Sequence, residues 1–312
     1  MNKSLPKLKS GNFSPSRFKS LAACSWQYVL QRIHFVYPRD PIIEPHSQLG
    51  SAMHHIAEFY VENDDGSPNM EKRKELLAEA KRLYVLTDSQ IEELHFMADN
   101  LIYHIWPEMM GRDKDDTFSP AEIITEYNVK GDVVFNDAEG QAWKVPLNQK
   151  IDRFVRTEDG RIIIIDYKKG KRSVSSHMFQ LLFYVTTLSQ KLRVSIDNIE
   201  IWLIFPNEKT RWIEKVTGKD LQDEIPSFLE DMASKISQHN KVSADTTRPT
   251  ENDASPSFLC TFCPYCATSF CPLSKLMYAD KVAENQNRVF ETGYKIKKRV
   301  YAKDFISSSN AW

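Results

Sequence analysis

The sequence has no long apolar run and no excess of charge of either sign. Its 312 residues include 41 lysines and arginines against 42 aspartates and glutamates, so the formal net charge is −1. The longest apolar runs have the length of strands, well below the roughly 18 residues that a membrane helix needs. We therefore expect neither a membrane span nor a uniformly basic coat for nucleic acid, while a local basic groove stays compatible with this charge.

We expect no secretory leader, and the sequence contains no nucleotide-binding loop. The first residues contain no apolar segment that would direct secretion, and the motif Gly-x-x-x-x-Gly-Lys-Ser/Thr of helicases does not occur. We accordingly expect a cytoplasmic protein, inside a bacterial or phage-infected cell, that would depend on a partner for any unwinding. Hydrophobic residues make up 41% of the chain, which is enough for a sizeable core and excludes disorder of the whole chain.

Cysteines are few but clustered. One lies near the N-terminus and the other four lie close together near the C-terminus: Cys24, Cys260, Cys263, Cys266 and Cys271. An odd number of cysteines in a chain without a leader argues against a disulfide framework. The four C-terminal thiols could close a tetrahedral Zn²⁺ site. Their spacing is also close to the ferredoxin pattern that binds a [4Fe–4S] cluster. Either way, this segment predicts a metal centre.

Hydrophobic periodicity divides the chain into a helical first third and a mixed middle. Helices are predicted from Ser14-Pro15 to residue 33 and over residues 51–62, 71–86 and 89–105. Strands are then predicted over 122–129, 143–155 and 161–167, with turns at Gly131-Asp132, Glu139-Gly140 and Glu158–Gly160. A helix at 177–190, strands at 199–205 and 211–216, a helix at 221–238 and a polar linker at 240–257 complete the prediction.

Two aspartates stand at the ends of neighbouring predicted strands. Asp152 and Asp166 are nearly equidistant from the turn at Glu158–Gly160, so an antiparallel hairpin would bring their carboxylates together. Two adjacent carboxylates repel each other unless a cation such as Mg²⁺ or Mn²⁺ holds them. Lys168 follows two residues after Asp166 and faces the same side of the strand. The simpler alternative is that Asp152 pairs with Lys150 or Arg153 and that Asp166 merely ends a strand.

These segments, in this order, resemble the PD-(D/E)XK nuclease superfamily in its RecB-like, CRISPR-associated-exonuclease-like branch. The resemblance rests on the following motifs: Phe13–Phe18 with Cys24, Gly50-x-x-x-His54, Asp152, Asp166-Tyr167-Lys168, Gln180-x-x-x-Tyr184 and the cysteine-rich end. It implies an α/β fold with a restriction-endonuclease-like core, whose mixed central sheet is flanked by helices. It also implies a divalent-metal-dependent DNA nuclease.

The resemblance assigns roles to individual residues. The divalent ion would be bound by His54, Asp152, Asp166 and the main-chain carbonyl of Tyr167, with Glu126 as a weaker supporting carboxylate. Lys168 would be the catalytic lysine, and Gln180 and Tyr184 would lie beside the bound DNA strand. Taken alone, His54 could equally be structural, and Gln180 with Tyr184 could be one face of an amphipathic helix.

Two departures from the branch concern Gln149 and the cysteine spacing. The branch usually has glycine where this chain has Gln149, which favours the alternative of a non-catalytic DNA-binding accessory protein. In the branch, one N-terminal cysteine joins three C-terminal ones around a [4Fe–4S] cluster. Cys24 is placed for that role, but no trio among the other four has the usual C-x₂-C-x₅-C spacing. One cysteine of the five would be spare, and Zn²⁺ is the alternative to the cluster.

The sequence therefore predicts an N-terminal helical part over residues 1–120, a nuclease core over 121–239 and a linker, cysteine cluster and basic tail over 240–312. The expected function is exonucleolytic hydrolysis of DNA ends or single strands in recombination, repair or the processing of phage or CRISPR DNA. A helicase or a recombinase is the expected protein partner. The basic residues near the site, Lys168, Lys169, Lys171 and Arg172, are expected to attract phosphates.

Overall fold

The computed structural model describes residues 13–32, 37–38, 45–110, 120–170 and 172–244, together with Cys260, Cys263, Tyr265, Cys271 and residues 290–291. Its helices are α1 (Pro15–Ala23), α2 (Ser25–Arg32), α3 (Pro45–Phe59), α4 (Met70–Leu83), α5 (Asp88–Asn100), α6 (Trp106–Met109), α7 (Met178–Leu192) and α8 (Ile225–Ala244). Its strands are β1 (Tyr37–Pro38), β2 (Pro120–Asn136), β3 (Ala142–Thr157), β4 (Ile162–Tyr167), β5 (Ile199–Ile204), β6 (Ile213–Thr217) and β7 (Phe290–Glu291).

A five-stranded mixed sheet in the order β2-β3-β4-β5-β6 forms the centre of the fold. Strand β4 pairs antiparallel with β3 and parallel with β5, and β5 pairs antiparallel with β6. All six residues of β4 are buried, as the apolar run without alternation predicts. The sheet and its flanking helices confirm the predicted α/β class with a restriction-endonuclease-like core.

The chain divides into two compact units, and β2 and β3 contribute residues to both. One unit comprises residues 43–129, 150–223 and 298–312. The apolar faces of α3, α4 and α5 pack there with side chains of β3, β4 and β5 in one buried cluster. Caps fix the helix ends locally. The Asn69 side chain accepts from the amide of Lys72, and Thr87 with Gln90 forms a capping box at α5.

The other unit comprises residues 1–42, 130–149 and 224–297. Helix α1 begins as expected, because the Ser14 hydroxyl accepts from the amide of Arg17 and Pro15 occupies the first turn. The backbone of Phe13 exchanges two hydrogen bonds with β3, to Pro146 O and from Asn148 N. The ring of Phe13 contacts Phe18 and the buried His239. Burial lowers the pKa of His239 to about 4.

Three details of the predicted secondary structure are wrong. The single N-terminal helix is two helices, because the chain at Cys24 is extended and its Sγ accepts from the amide of Gln27 at 3.5 Å. Gly131-Asp132 is not a turn but lies inside β2. Helix α8 runs through Ala244, so residues 240–244 are helical and not linker. The rest of the predicted linker lies outside the described residues. None of the helices in the described ranges is long and apolar enough to span a membrane.

Candidate active site

The hairpin of β3 and β4 brings the two predicted aspartates together. Arg153 pairs with Ile165 in the antiparallel register, and Asp152 and Asp166 directly adjoin this pair at the open end of the hairpin. The turn forms at the predicted position. Gly160 has a φ of +84°, which glycine adopts readily, and its amide donates a hydrogen bond to Thr157 O. The alternation of apolar side chains along β3 and the position of this turn therefore determine which two residues meet at the open end.

Asp166 is almost fully buried and is held by two side chains of α7. Gln180 Nε2 and the Tyr184 hydroxyl each donate to Asp166 Oδ1 at 3.1 Å. Gln180 Nε2 also donates to the Tyr184 hydroxyl at 2.6 Å. Burial, followed by the charges of Asp166 and Asp152, raises the pKa of Tyr184 well above 10, so the phenol stays protonated and donates at any physiological pH.

Lys168 lies against the same carboxylate. Its ammonium forms an ion pair with Asp166 Oδ2 and donates to Gln180 Oε1 at 2.8 Å, and only 16% of its side chain is exposed. The backbone amide of Lys168 donates to Ile204 O on β5, which anchors the residue to the sheet. The i,i+4 pair Gln180 and Tyr184 is thus not merely an amphipathic face, because both side chains bind the Asp166–Lys168 pair.

Asp152 is contacted by α3 and by the last residue of β4. His54 Nδ1 lies 3.4 Å from Asp152 Oδ2, and the amide of Tyr167 donates to the same oxygen at 3.0 Å. The pKa of Asp152 is raised above its ordinary value, first by burial and then by the neighbouring charge of Asp166. Contacts with His54, Tyr167 and Lys168 only partly oppose this shift. The site therefore holds two carboxylates that repel each other.

The simpler alternative for Asp152, pairing with Lys150 or Arg153, is not what the structure has. Lys150 forms an ion pair with Glu126, which has a positive φ of 54° in β2. Arg153 is turned to the other face of β3, where its Nη2 donates to Ala57 O at 2.8 Å. Its guanidinium carbon lies 4.5 Å from the ring centroid of Trp106.

Sequence reasoning considered Arg153 as a partner for Asp152, and the structure gives it a structural role instead. Arg153 directly follows Asp152 on β3, and Ala57 lies three residues after His54 on α3. Their hydrogen bond therefore connects the two elements that carry Asp152 and His54. We expect Arg153→Met to lower the free energy of unfolding by about 2 kcal/mol, because the Ala57 carbonyl loses a charged donor and Trp106 loses its cation. Urea denaturation measures this change.

Arg156→Met is the matched control for Arg153. Arg156 lies on the same strand, but 45% of its side chain is exposed and its ion pair with Glu122 is 3.6 Å long. Such a contact contributes little, so this variant should unfold within about 0.5 kcal/mol of wild type. Equal losses in the two variants would contradict a specific role for Arg153.

The donor set at the end of the hairpin fits a hard divalent cation. Asp152 and Asp166 supply carboxylate oxygens and His54 supplies an imidazole nitrogen, ligands that Mn²⁺ or Mg²⁺ accepts. Burial raises the pKa of Asp152 most, and the charge of Asp166 raises it further; a cation would relieve this second effect. In the described part of the chain, no group of three or more His, Cys, Asp and Glu side chains is already arranged to hold a metal ion. Lys168 is the cation that contacts Asp166 in this arrangement.

The raised pKa of Asp152 predicts a pH effect on the metal-free protein. A carboxyl group whose pKa is higher in the folded than in the unfolded state costs stability once it ionises. The cost is absent below its ordinary value near 3.8 and is complete above the folded pKa. We therefore expect Asp152→Asn in EDTA to unfold at higher urea concentration than wild type at pH 7, with the difference shrinking as the pH falls towards 4.

Asp220→Asn is the control for that experiment. Asp220 is exposed, and its hydrogen bonds with the Thr217 side chain and amide lower its pKa. The sign is therefore opposite: its favourable contribution is present at pH 7 and declines as the pH falls through its folded pKa. A stabilising effect of Asp220→Asn at pH 7, or none for Asp152→Asn, would contradict these assignments.

The basic residues predicted near the site are partly paired with acidic side chains in the structure. Arg172 forms an ion pair with Glu214, and its amide donates to Glu208 at 3.2 Å, so its charge is partly neutralised. Lys171 lies outside the described residues. Two tryptophans also contact other side chains: Trp202 lies under Lys215, and Trp212 stacks on His104.

The predicted cysteine centre lies only partly within the described residues. Cys24, Cys260, Cys263 and Cys271 form no disulfide, and Cys266 is outside the described positions. Cys24, Cys260, Cys263 and Cys271 belong to the same compact unit. Among the described residues alone, no cysteine group is arranged as a metal centre. Gln149, the departure before Asp152, is 2% exposed, and its side-chain amide has no hydrogen-bond partner in the described ranges.

Comparison with known proteins supports the fold. The family model of the PD-(D/E)XK nuclease superfamily matches residues 12–272, a range that includes all the residues of the site and all five cysteines. No curated protein matches the sequence. Among solved structures, that of SSO0001 aligns with 70% of this chain and 92% of its own, at 14% identity and a TM-score of 0.28. A likeness that weak carries no weight for function.

Proposed function

Because the chain belongs to the PD-(D/E)XK nuclease superfamily, we propose that it is a divalent-metal-dependent deoxyribonuclease, an exonuclease that acts on DNA ends or single strands. The observation that carries the proposal is the meeting of Asp152 and Asp166 at one end of the hairpin, with Lys168 in contact with Asp166. A protein that only binds DNA has no need to bury two repelling carboxylates beside an ammonium group.

Each side chain of the site has a proposed role. His54, Asp152, Asp166 and the main-chain carbonyl of Tyr167 would hold Mg²⁺ or Mn²⁺, with Glu126 as a supporting carboxylate. When bound, such an ion neutralises phosphate charge and lowers the pKa of a coordinated water. Gln180 and Tyr184 fix the orientation of Asp166 through their hydrogen bonds.

Lys168 is the proposed catalytic lysine. Its ammonium is held by Gln180 Oε1 and Asp166. From that position it would donate a hydrogen bond to the attacking water or to a phosphate oxygen that gains charge in the transition state. Since Gln180 contacts both Asp166 and Lys168, it sets the position of the ammonium relative to the carboxylate.

The function is tested with wild-type protein on end-labelled single- and double-stranded DNA in Mn²⁺, in Mg²⁺ and in EDTA. We expect degradation in the divalent ions and none in EDTA, and the ladder of products reports the polarity of cleavage. Binding of DNA without cleavage in either ion would replace the proposal by the alternative, a DNA-binding accessory protein. Because the chain has no P-loop motif, unwinding of duplex substrate would come from a helicase or recombinase partner.

We further propose that Cys24 and three of Cys260, Cys263, Cys266 and Cys271 bind a [4Fe–4S] cluster that joins distant parts of the chain. The support is the spacing of the cysteines and their membership of one compact unit. Anaerobically purified protein should be brown and contain iron and acid-labile sulfide. Colourless protein with stoichiometric zinc would replace the cluster by the zinc alternative.

A further inference from the structure

A cleft adjoins the proposed reaction centre. Its volume is about 320 Å³, at the small end of the range of about 300–1,000 Å³ for ligand pockets, so it can take a single nucleotide-sized group. Two of the proposed metal ligands, His54 and Asp152, form part of its wall. The remaining lining comes from α3, β2, β3 and the residue after α4: Ser51, His55, Glu58, Phe59, Tyr84, Glu126 and Lys150.

Part of the cleft lining is aromatic. Phe59, the last residue of α3, is 48% exposed, although large apolar side chains are usually covered. Its ring centroid lies 4.9 Å from that of His55, whose ring also approaches Tyr84 at 6.3 Å. The Nε2 atom of His55 lies 3.3 Å from Oε2 of Glu79. A base of single-stranded DNA can stack on an exposed ring that packs against a second ring.

The cleft is lined by three carboxylates, those of Glu58, Glu126 and Asp152, and by one lysine, Lys150. Glu58 lies four residues after His54 and therefore on the same face of α3. Within the described residues, it has no hydrogen bond or ion pair. The one lysine of the lining, Lys150, is already paired with Glu126. Carboxylates repel a phosphate but accept hydrogen bonds from the amino groups of bases, so the cleft is suited to a base and not to the sugar-phosphate backbone.

We propose that this cleft binds one nucleobase of the strand whose phosphate lies at the hairpin end, with Phe59 stacking on the base and Glu58 accepting from its amino group. Cytosine, adenine and guanine carry an exocyclic amino group, whereas thymine does not. The cleft consequently disfavours thymine. This inference deepens the proposed DNA nuclease function and rests on it for the choice of ligand.

The test measures binding and cleavage separately on the full chain. Binding of fluorescein-labelled oligo(dC) and oligo(dT) of equal length is followed by anisotropy in EDTA. Wild type should bind oligo(dC) about tenfold more tightly. Phe59→Ala should weaken the binding of both about tenfold. Glu58→Gln should reduce the preference to less than about threefold, because the uncharged amide is a weaker acceptor.

Matched controls come from α5, outside the cleft. Phe96 is 42% exposed, so Phe96→Ala removes a comparable ring, and Glu93→Gln removes a comparable half-buried carboxylate. Neither should change affinity more than about twofold. Equal affinity of wild type for the two oligonucleotides, or equal effects of Phe59→Ala and Phe96→Ala, overturns the cleft assignment. A cytosine preference that depends on Glu58, without cleavage in Mn²⁺, leaves the cleft assignment intact and overturns the nuclease.

Discussion

Asp166→Asn should abolish ion-dependent hydrolysis of DNA, with a loss on the order of 10³-fold or more in kcat. Asp166 is 3% exposed and accepts from Gln180 and Tyr184 while its second oxygen contacts Lys168. Asparagine has the same shape, but it removes the charge that pairs with Lys168 and that would bind a divalent ion. The measurement is single-turnover cleavage of end-labelled DNA in Mn²⁺.

The control for Asp166 is Asp223→Asn. Asp223 is an exposed residue of the same compact unit, so its substitution removes one negative charge without touching the site. It should cleave at a rate within about twofold of wild type. Urea denaturation of both variants shows whether they fold. A folded Asp166→Asn protein that retained more than about a tenth of wild-type activity would remove Asp166 from the chemistry.

Lys168→Met should lower kcat by about 10²- to 10³-fold while KM for DNA changes little. The substitution keeps the length of the apolar stem and removes only the ammonium, which contacts Asp166 and Gln180 Oε1. A group that acts mainly in the transition state affects kcat, whereas a group that merely attracts DNA affects KM. Steady-state kinetics with a fixed single-stranded substrate separates the two effects.

Lys191→Met removes an equal charge from the exposed last turn of α7 and serves as the control. It should leave kcat within about twofold of wild type. Lys168→Arg keeps the charge but presents a planar fork, so it should restore only part of the activity. An increase in KM with unchanged kcat in Lys168→Met would assign this lysine to DNA attraction instead.

Local sequence patterns were sufficient for the parts of the site that lie on one hairpin. The equal spacing of Asp152 and Asp166 from a glycine turn predicted their meeting, because strand registers follow from turn position. The i,i+4 spacing of Gln180 and Tyr184 predicted that both would lie on one face of a helix. Here that face is directed at Asp166, so both side chains donate to its carboxylate.

Contacts between segments distant in sequence were not predictable in this way. Nothing local distinguishes Arg153, which binds Ala57 across 96 residues, from Arg156, which faces solvent on the same strand. The exposed Phe59 has the same appearance in sequence as a core residue at helical spacing. Gly131 in β2 likewise shows that a glycine-aspartate pair can continue as a strand when its neighbours supply the pairing.

The turn between β3 and β4 lies at the opposite end of the hairpin from Asp152 and Asp166. Asp166 lies six positions after Gly160, and six steps of extended chain span about 20 Å. Glu158 and Asp159 are exposed at this turn. A short peptide tag here, or a tether attached to a cysteine introduced here, would fix the protein to a glass surface or a bead at the end of the hairpin opposite the site. An immobilised protein of this kind would let single-molecule measurements follow how many nucleotides are removed in one encounter.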